Sequence, residues 1–135
     1  LTKTRVFKKE YATELLLVAR EDLETARVLS QANLGRKENI LFHVQQSIEK
    51  ALKAKLVSLG IPVPSAHDLE EIVRVLPDRN LVPHHDSLYD LTQFATIRRY
   101  EEGVAVITQE EISSSLSAAE EVINWVGTSV KKDRV

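Results

Sequence analysis

The last quarter of the chain carries its strictest constraint. Ile112, Leu116, Ala119, Ile123, Val126 and Val130 recur at steps of 4, 3, 4, 3 and 4. Only a helix puts such a series on one side, and a helix with one apolar stripe must bury it against other elements. The stripe runs for about 20 residues, or roughly 30 Å of helix. Thr108 stands just ahead of it with Glu111 three residues on, the pattern of a capping box. A partner surface of similar length is therefore required, and two other stretches offer one. The first, from about Lys9 to Gln31, aligns Leu15, Leu16, Ala19, Leu23, Ala26 and Leu29. The second, from about Lys37 to Leu59, aligns Leu41, Val44, Ile48, Ala51, Leu52 and Leu56. Gly35 and Gly60 follow these stretches, where a glycine that ends a helix is expected.

All four prolines fall between residues 61 and 84, which confines loops and short elements to that region. A short helix is expected over His67–Leu76, with Leu69, Ile72, Val73 and Leu76 inward and Ser65 as its cap. A fourth is expected over His85–Tyr100, through Leu88, Leu91, Phe94 and Ala95. No alternation of strand type persists over six residues. The expected fold is all-α: a single domain spanning 1–135, an antiparallel up-down bundle of about five helices, three long and two short.

Composition narrows the function classes. Apolar residues make up 43% of the 135 and charged residues 28%, as in a folded domain with a real core. The net charge of −2 gives no global argument for nucleic acid or membrane, although a local basic groove remains open. Without cysteine there is no disulfide, thiolate metal site or cysteine nucleophile, which fits a cytoplasmic setting. No apolar run approaches the length of a membrane span, and "LTKTRVFKKE" lacks the apolar core of a signal peptide. The histidines show no metal-ligand spacing, and no phosphate loop or serine-centred triad occurs, so no cofactor is expected.

Three polar clusters stand out from this frame. On the second helix His43, Gln46, Lys50 and Lys53 are spaced by 3, 4 and 3 and share one line. Glu49 and Lys53 form a favourable i, i+4 pair, and the adjacent Gln45 and Gln46 need polar partners if half-buried. A solvated face is the plain alternative to a groove. The second cluster, "PSAHDLEEIVRVL", places His67 and Asp68 at the start of the short helix. There His67 either anchors the loop or stands at the mouth of a cleft. The third, Arg98, Arg99 and Tyr100, ends the fourth helix. Arginines there either complement the helix dipole or fork onto a phosphate.

Together the clusters carry a resemblance. "HVQQSIEKALKAKLVSLG" (43–60), "PSAHDLEEIV" (64–73) and "RRYEE" (98–102), in that order, resemble the HEPN family (higher eukaryotes and prokaryotes nucleotide-binding). "VAREDLETARVL" (18–29) is similar to the family's first helix, so the likeness covers about residues 8–131. It implies a helical bundle that forms homodimers. It also implies a small nucleotidyltransferase as partner in a toxin–antitoxin pair, with nucleotide or RNA as ligand. Many members are metal-independent ribonucleases whose signature is an arginine, four to six residues, then a histidine. At that place Arg99 is followed by "YEEGVAVI", with no histidine. Arg79 ahead of His84 and His85, and Arg36 ahead of His43, repeat the spacing in segments where it reads as accidental. Enzyme status stays open and leans against catalysis.

Three functions compete: a non-catalytic binding module, a ribonuclease toxin and a purely structural interaction protein. For the first, the candidate groove is Gln46, Lys50, Lys53, His67, Arg98, Arg99 and Tyr100, with no catalytic residue assigned. The three clusters are expected to converge, with Arg99 approaching Glu49 or Asp68 when no ligand is bound.

Overall fold

A computed structural model of the chain describes residues 3–91 and 107–133, the last three by backbone alone. Three long helices dominate: α1 (Tyr11–Gln31), α2 (Lys37–Ser58) and α4 (Gln109–Asp133). The short helix α3 (Leu69–Arg74) and a 3₁₀ turn at Arg79–Leu81 lie between α2 and α4, and residues 88–91 are again helical. The expected all-α bundle is what forms, and α2 is its centre, packed against α1, α3 and α4.

Central placement explains the composition of α2. A helix with neighbours on several sides cannot keep a wide solvent face. The predicted stripe is buried, and so are Ile40, Ala54 and Val57 beyond it. Gln45, Ser47, Glu49, Lys55 and Ser58 are buried too, and each must find a partner. Ser47 and Ser58 donate to the carbonyls of Val44 and Lys55 in their own helix. The Lys55 ammonium lies 5.3 Å from the centre of the Trp125 ring on α4. On α4 the core line is as expected from Ile112 to Val130, with Leu116 half-buried and Ala118 and Val122 added.

The helix ends show what the sequence could and could not place. The N–H of Glu111 donates to Thr108 Oγ1 at 3.1 Å, the expected cap of α4. Gly60, at φ 71°, lets Ile61 N–H reach Leu56 O (3.0 Å) and Gly60 N–H reach Val57 O (3.0 Å). This paired closure satisfies the last carbonyls of α2. The same closure ends α1, but Asn33 (φ 51°) takes the left-handed position instead of Gly35. Asparagine tolerates that conformation better than most side chains. Gly35 is also left-handed (φ 75°), two residues further on.

Two expectations are corrected. The short helix is capped by Asp68, whose Oδ1 accepts from Glu70 N–H at 3.0 Å, and not by Ser65. Ser65 lies at the bend that follows the extended pair Val63–Pro64, where its N–H donates to Lys3 O at 2.7 Å. There the N-terminal segment forms β1 (Thr4–Arg5), antiparallel to β2 (Val63–Pro64), with Thr4 opposite Pro64 and Arg5 opposite Val63. Two-residue strands leave no alternation to read. The helix expected from His85 begins at 88, after a turn in which His84 has φ 60°. Leu88 and Leu91 are buried as expected, while Phe94, Ala95 and the Arg98–Tyr100 end lie outside the described residues.

Gly60 gives a stability test. A Cβ there would meet only Lys9 Cε, at 3.9 Å, so the cost of Gly60→Ala is one of backbone conformation. Urea unfolding should show a loss of about 1–2 kcal/mol. An unchanged midpoint would mean that the helix end does not hold this geometry.

Candidate functional site

The α2 residues Gln45, Glu49 and Lys53 are four apart and stack on one side of the helix. The loop that leads into α3 crosses this line. Asp68 fixes the start of α3 with its cap, and that places His67 against Glu49. His67 Nδ1 lies 3.1 Å from Glu49 Oε1 and 3.2 Å from Oε2. Lys53 Nζ donates to Glu49 Oε2 at 3.2 Å. Gln45 Nε2 donates to the backbone carbonyl of His67 at 2.8 Å and to Glu49 Oε1 at 3.3 Å. Gln46 Nε2 donates in turn to Gln45 Oε1 at 2.8 Å.

Burial is graded across the cluster. The Glu49 side chain is 5% exposed, Lys53 16% and His67 72%. A carboxylate at that depth is tolerable only when it is paired and hydrogen-bonded, and here three side chains serve it. An ionised carboxylate can only accept, so His67 Nδ1 carries a proton. The second ring nitrogen, Nε2, has no partner among the described residues. The result is a ring held by one edge against an internal anion and turned outward by the other. In its neutral form the outer nitrogen accepts a hydrogen bond. Protonated, it donates.

The sequence candidates separate in space. Gln46, Lys53 and His67 come together around Glu49. Lys50 does not join them: it pairs with Asp22 of α1, on the other side of the line. The four-residue line therefore divides at the boundary between the α1 contact and the His67 loop. His43, at its start, meets Phe42 edge-on with ring centres 5.8 Å apart. Arg98, Arg99 and Tyr100 lie outside the described residues. Glu49, one of the acceptors expected for Arg99, already holds Lys53 and His67. Sequence reasoning left Gln45 and Glu49 out of the groove, although they are its buried frame. The signal was their i, i+4 spacing, which continues to Lys53 along one line of the helix.

The other arginine–histidine spacings form no site here. Arg36 is directed to Glu38 at 3.5 Å, and His84 pairs with Glu121 of α4. A cleft of about 850 Å³ lies elsewhere, between the His84–Leu91 turn and the first turns of α4. No helix among the described residues is long and apolar enough to cross a membrane.

The family model of the HEPN domain matches residues 12–132. The chain belongs to the HEPN domain family. Two solved structures share its fold. One is the protein TT1696 from Thermus thermophilus, 22% identical, with a TM-score of 0.73 over 87% of this chain and 97% of that one. The other is ST0689, described as an archaeal HEPN homologue, 24% identical, with a TM-score of 0.72 over 88% of this chain and 97% of that one. No curated protein matches the chain. At these identities the two structures support the HEPN bundle and nothing finer.

The graded burial predicts an asymmetry. Glu49→Gln removes the anion and leaves the Lys53 ammonium and the exposed His67 ring, both able to reach water, at a cost of about 1–2 kcal/mol. Lys53→Met leaves a buried carboxylate facing only a histidine and an amide, and should cost about 2–3 kcal/mol after discounting for the partial exposure of Lys53. Chemical denaturation of both variants checks the order, and a larger loss for Glu49→Gln would contradict it.

Proposed function

We propose that this HEPN domain is a non-catalytic binding module for a phosphate-bearing ligand, a nucleotide or a stretch of RNA, received at the outer edge of His67. The observation that carries the reading is the outward ring fixed from behind by buried Glu49. An anion arriving at Nε2 favours the imidazolium, which then donates to Glu49 on one side and to the phosphate on the other. Lys53 offsets the charge of Glu49, so the approaching phosphate does not face a bare carboxylate. A ribose hydroxyl could donate to the same nitrogen in the neutral ring. Arg98, Arg99 and Tyr100 would complete the groove, on the strength of the family resemblance.

Binding is favoured over catalysis on two grounds. At the places where the ribonuclease pattern would put its histidine, with four to six residues between it and Arg99, the chain has Val104, Ala105 and Val106, none of which can transfer a proton. Lys53, the lysine beside His67, is also engaged by Glu49, and Lys50 is directed away to Asp22 of α1, which leaves neither free to stabilise a pentacoordinate phosphate there. A nucleotidyltransferase partner and a homodimer belong to the same proposal through the family resemblance alone. A stable dimer would need to bury more than about 1,000 Å² in total.

The test uses fluorescently labelled single-stranded RNA and a labelled nucleotide at low salt with chelator present. Anisotropy should detect binding to the native protein, weakened about tenfold in His67→Ala and in Arg99→Ala, each loss being about 1.4 kcal/mol. Urea unfolding confirms that the variants fold. No RNA should be cleaved. Native cleavage abolished by both substitutions would establish a ribonuclease instead. Absence of binding to either probe would leave the cluster a structural role.

A further inference from the structure

On α1 the residues farthest from the core form one line: Glu14, Leu17, Glu21, Glu24 and Val28, at steps of 3, 4, 3 and 4. All five are exposed, as is Val18 beside them. Leu17 is 57% exposed, Val28 51% and Val18 40%. Isolated exposed aliphatics need no explanation, but these lie along about 16 Å of a single helix face. The strip includes a shallow apolar groove of about 330 Å³ bordered by Glu21, Glu24 and Thr25, with Val28 and Leu29 as its floor.

The charges around the strip are sorted. α1 carries two bases, Arg20 and Arg27, and both are turned toward α4. Arg27 pairs with Glu120 at 2.8 Å. The Arg20 guanidinium lies so close over Gly127 that a Cβ there would come within 2.8 Å of its Nη2. On the α2 side Asp22 is matched by Lys50. Along the outward line the charges are acidic: Glu14, Glu21 and Glu24 form no ion pair among the described residues, and the exposed Arg20 and half-buried Arg27 flank Glu24 on the α4 side. An aliphatic strip edged by unpaired carboxylates complements a helix of the opposite pattern, with aliphatic residues in line and lysine or arginine beside them. A second α1 does not supply that pattern. Paired in parallel, every glutamate would face its own copy. Paired antiparallel about Glu21, that residue would face itself and Glu14 would face Val28. Neither arrangement brings a base.

We propose that the outward face of α1 is a docking surface for a basic amphipathic helix of a partner protein, with Leu17 and Val28 as its apolar anchors and Glu14, Glu21 and Glu24 as its charged rim. The surface is separate from the His67 cluster and does not depend on what binds there.

The probe is a synthetic helical peptide with leucines at steps of 3 and 4 and lysines flanking them, labelled with fluorescein. A second peptide carries glutamate at every lysine position. Anisotropy against the full chain should show saturable binding of the lysine peptide and none of the glutamate peptide. Leu17→Ser with Val28→Ser should weaken binding at least tenfold. Glu21→Lys with Glu24→Lys should abolish it and confer binding of the glutamate peptide. All substituted positions are exposed, and urea unfolding verifies that the variants keep their stability. Failure of the lysine peptide to bind overturns the proposal. So does binding that survives the serine pair, because it would then be charge attraction without an apolar seat. Sedimentation of the same proteins supplies the last arm: a homodimer broken by the serine pair would assign this face to a second copy and overturn the proposal as well.

Discussion

Glu49 is a carboxylate held at 4% exposure in the middle of the most buried helix, and much of the surrounding structure follows from that placement. An anion at that depth is stable only with cations and donors fixed around it. Lys53 comes from the next turn of α2 and Gln45 from the preceding one, so the helix supplies half of the shell by its own periodicity. His67 must come from elsewhere. Its loop is drawn onto α2 twice, through the ring to Glu49 and through its backbone carbonyl to Gln45. The crossing of that loop over α2 is thereby fixed by polar contacts. Its direction is then set by Asp68 at the start of α3 and by Leu69 and Ile72 in the core.

The same buried helix explains why the bundle places its charges as it does. With α1, α3 and α4 all leaning on α2, little of that helix is left for solvent, and its polar residues become contacts between elements. Lys50 holds α1 through Asp22, Lys53 serves Glu49, and Lys55 lies against Trp125 of α4. The bases of α1 are likewise directed to α4. Charge is thus used inward wherever two helices meet. Among the described residues, the His67 ring on one side and the acidic, aliphatic line of α1 on another are left outward.

The bundle itself was legible because apolar periodicity is a local property. Ile112 to Val130 and Leu16 to Ala26 state which side of each helix is inward, whatever lies opposite. The helix ends were legible where the chemistry is local as well, as at Thr108 and Gly60. They were misread where two residues could serve: Asn33 and Asp68 took the positions assigned to Gly35 and Ser65. The choice depended on which residue the neighbouring chain left available. Ser65 was drawn into pairing with the N-terminal segment, a contact across some sixty residues that no local pattern announces.

The candidate site divides along the same line. By itself the sequence determined an all-α bundle, the HEPN family and the residue types of a polar cluster on α2 and at His67, because each of these is encoded in spacing along the chain. It did not determine which side of α2 faces which neighbour. Lys50 and Lys53 are three residues apart and look equivalent on a helical wheel, yet one turns to α1 and the other to Glu49. Only the packing of α1 and of the His67 loop on either side of that helix separates them. The burial of Glu49, and with it the fixed orientation of the His67 ring, was decided by tertiary structure alone, because desolvation depends on everything packed around a group and not on its neighbours in sequence.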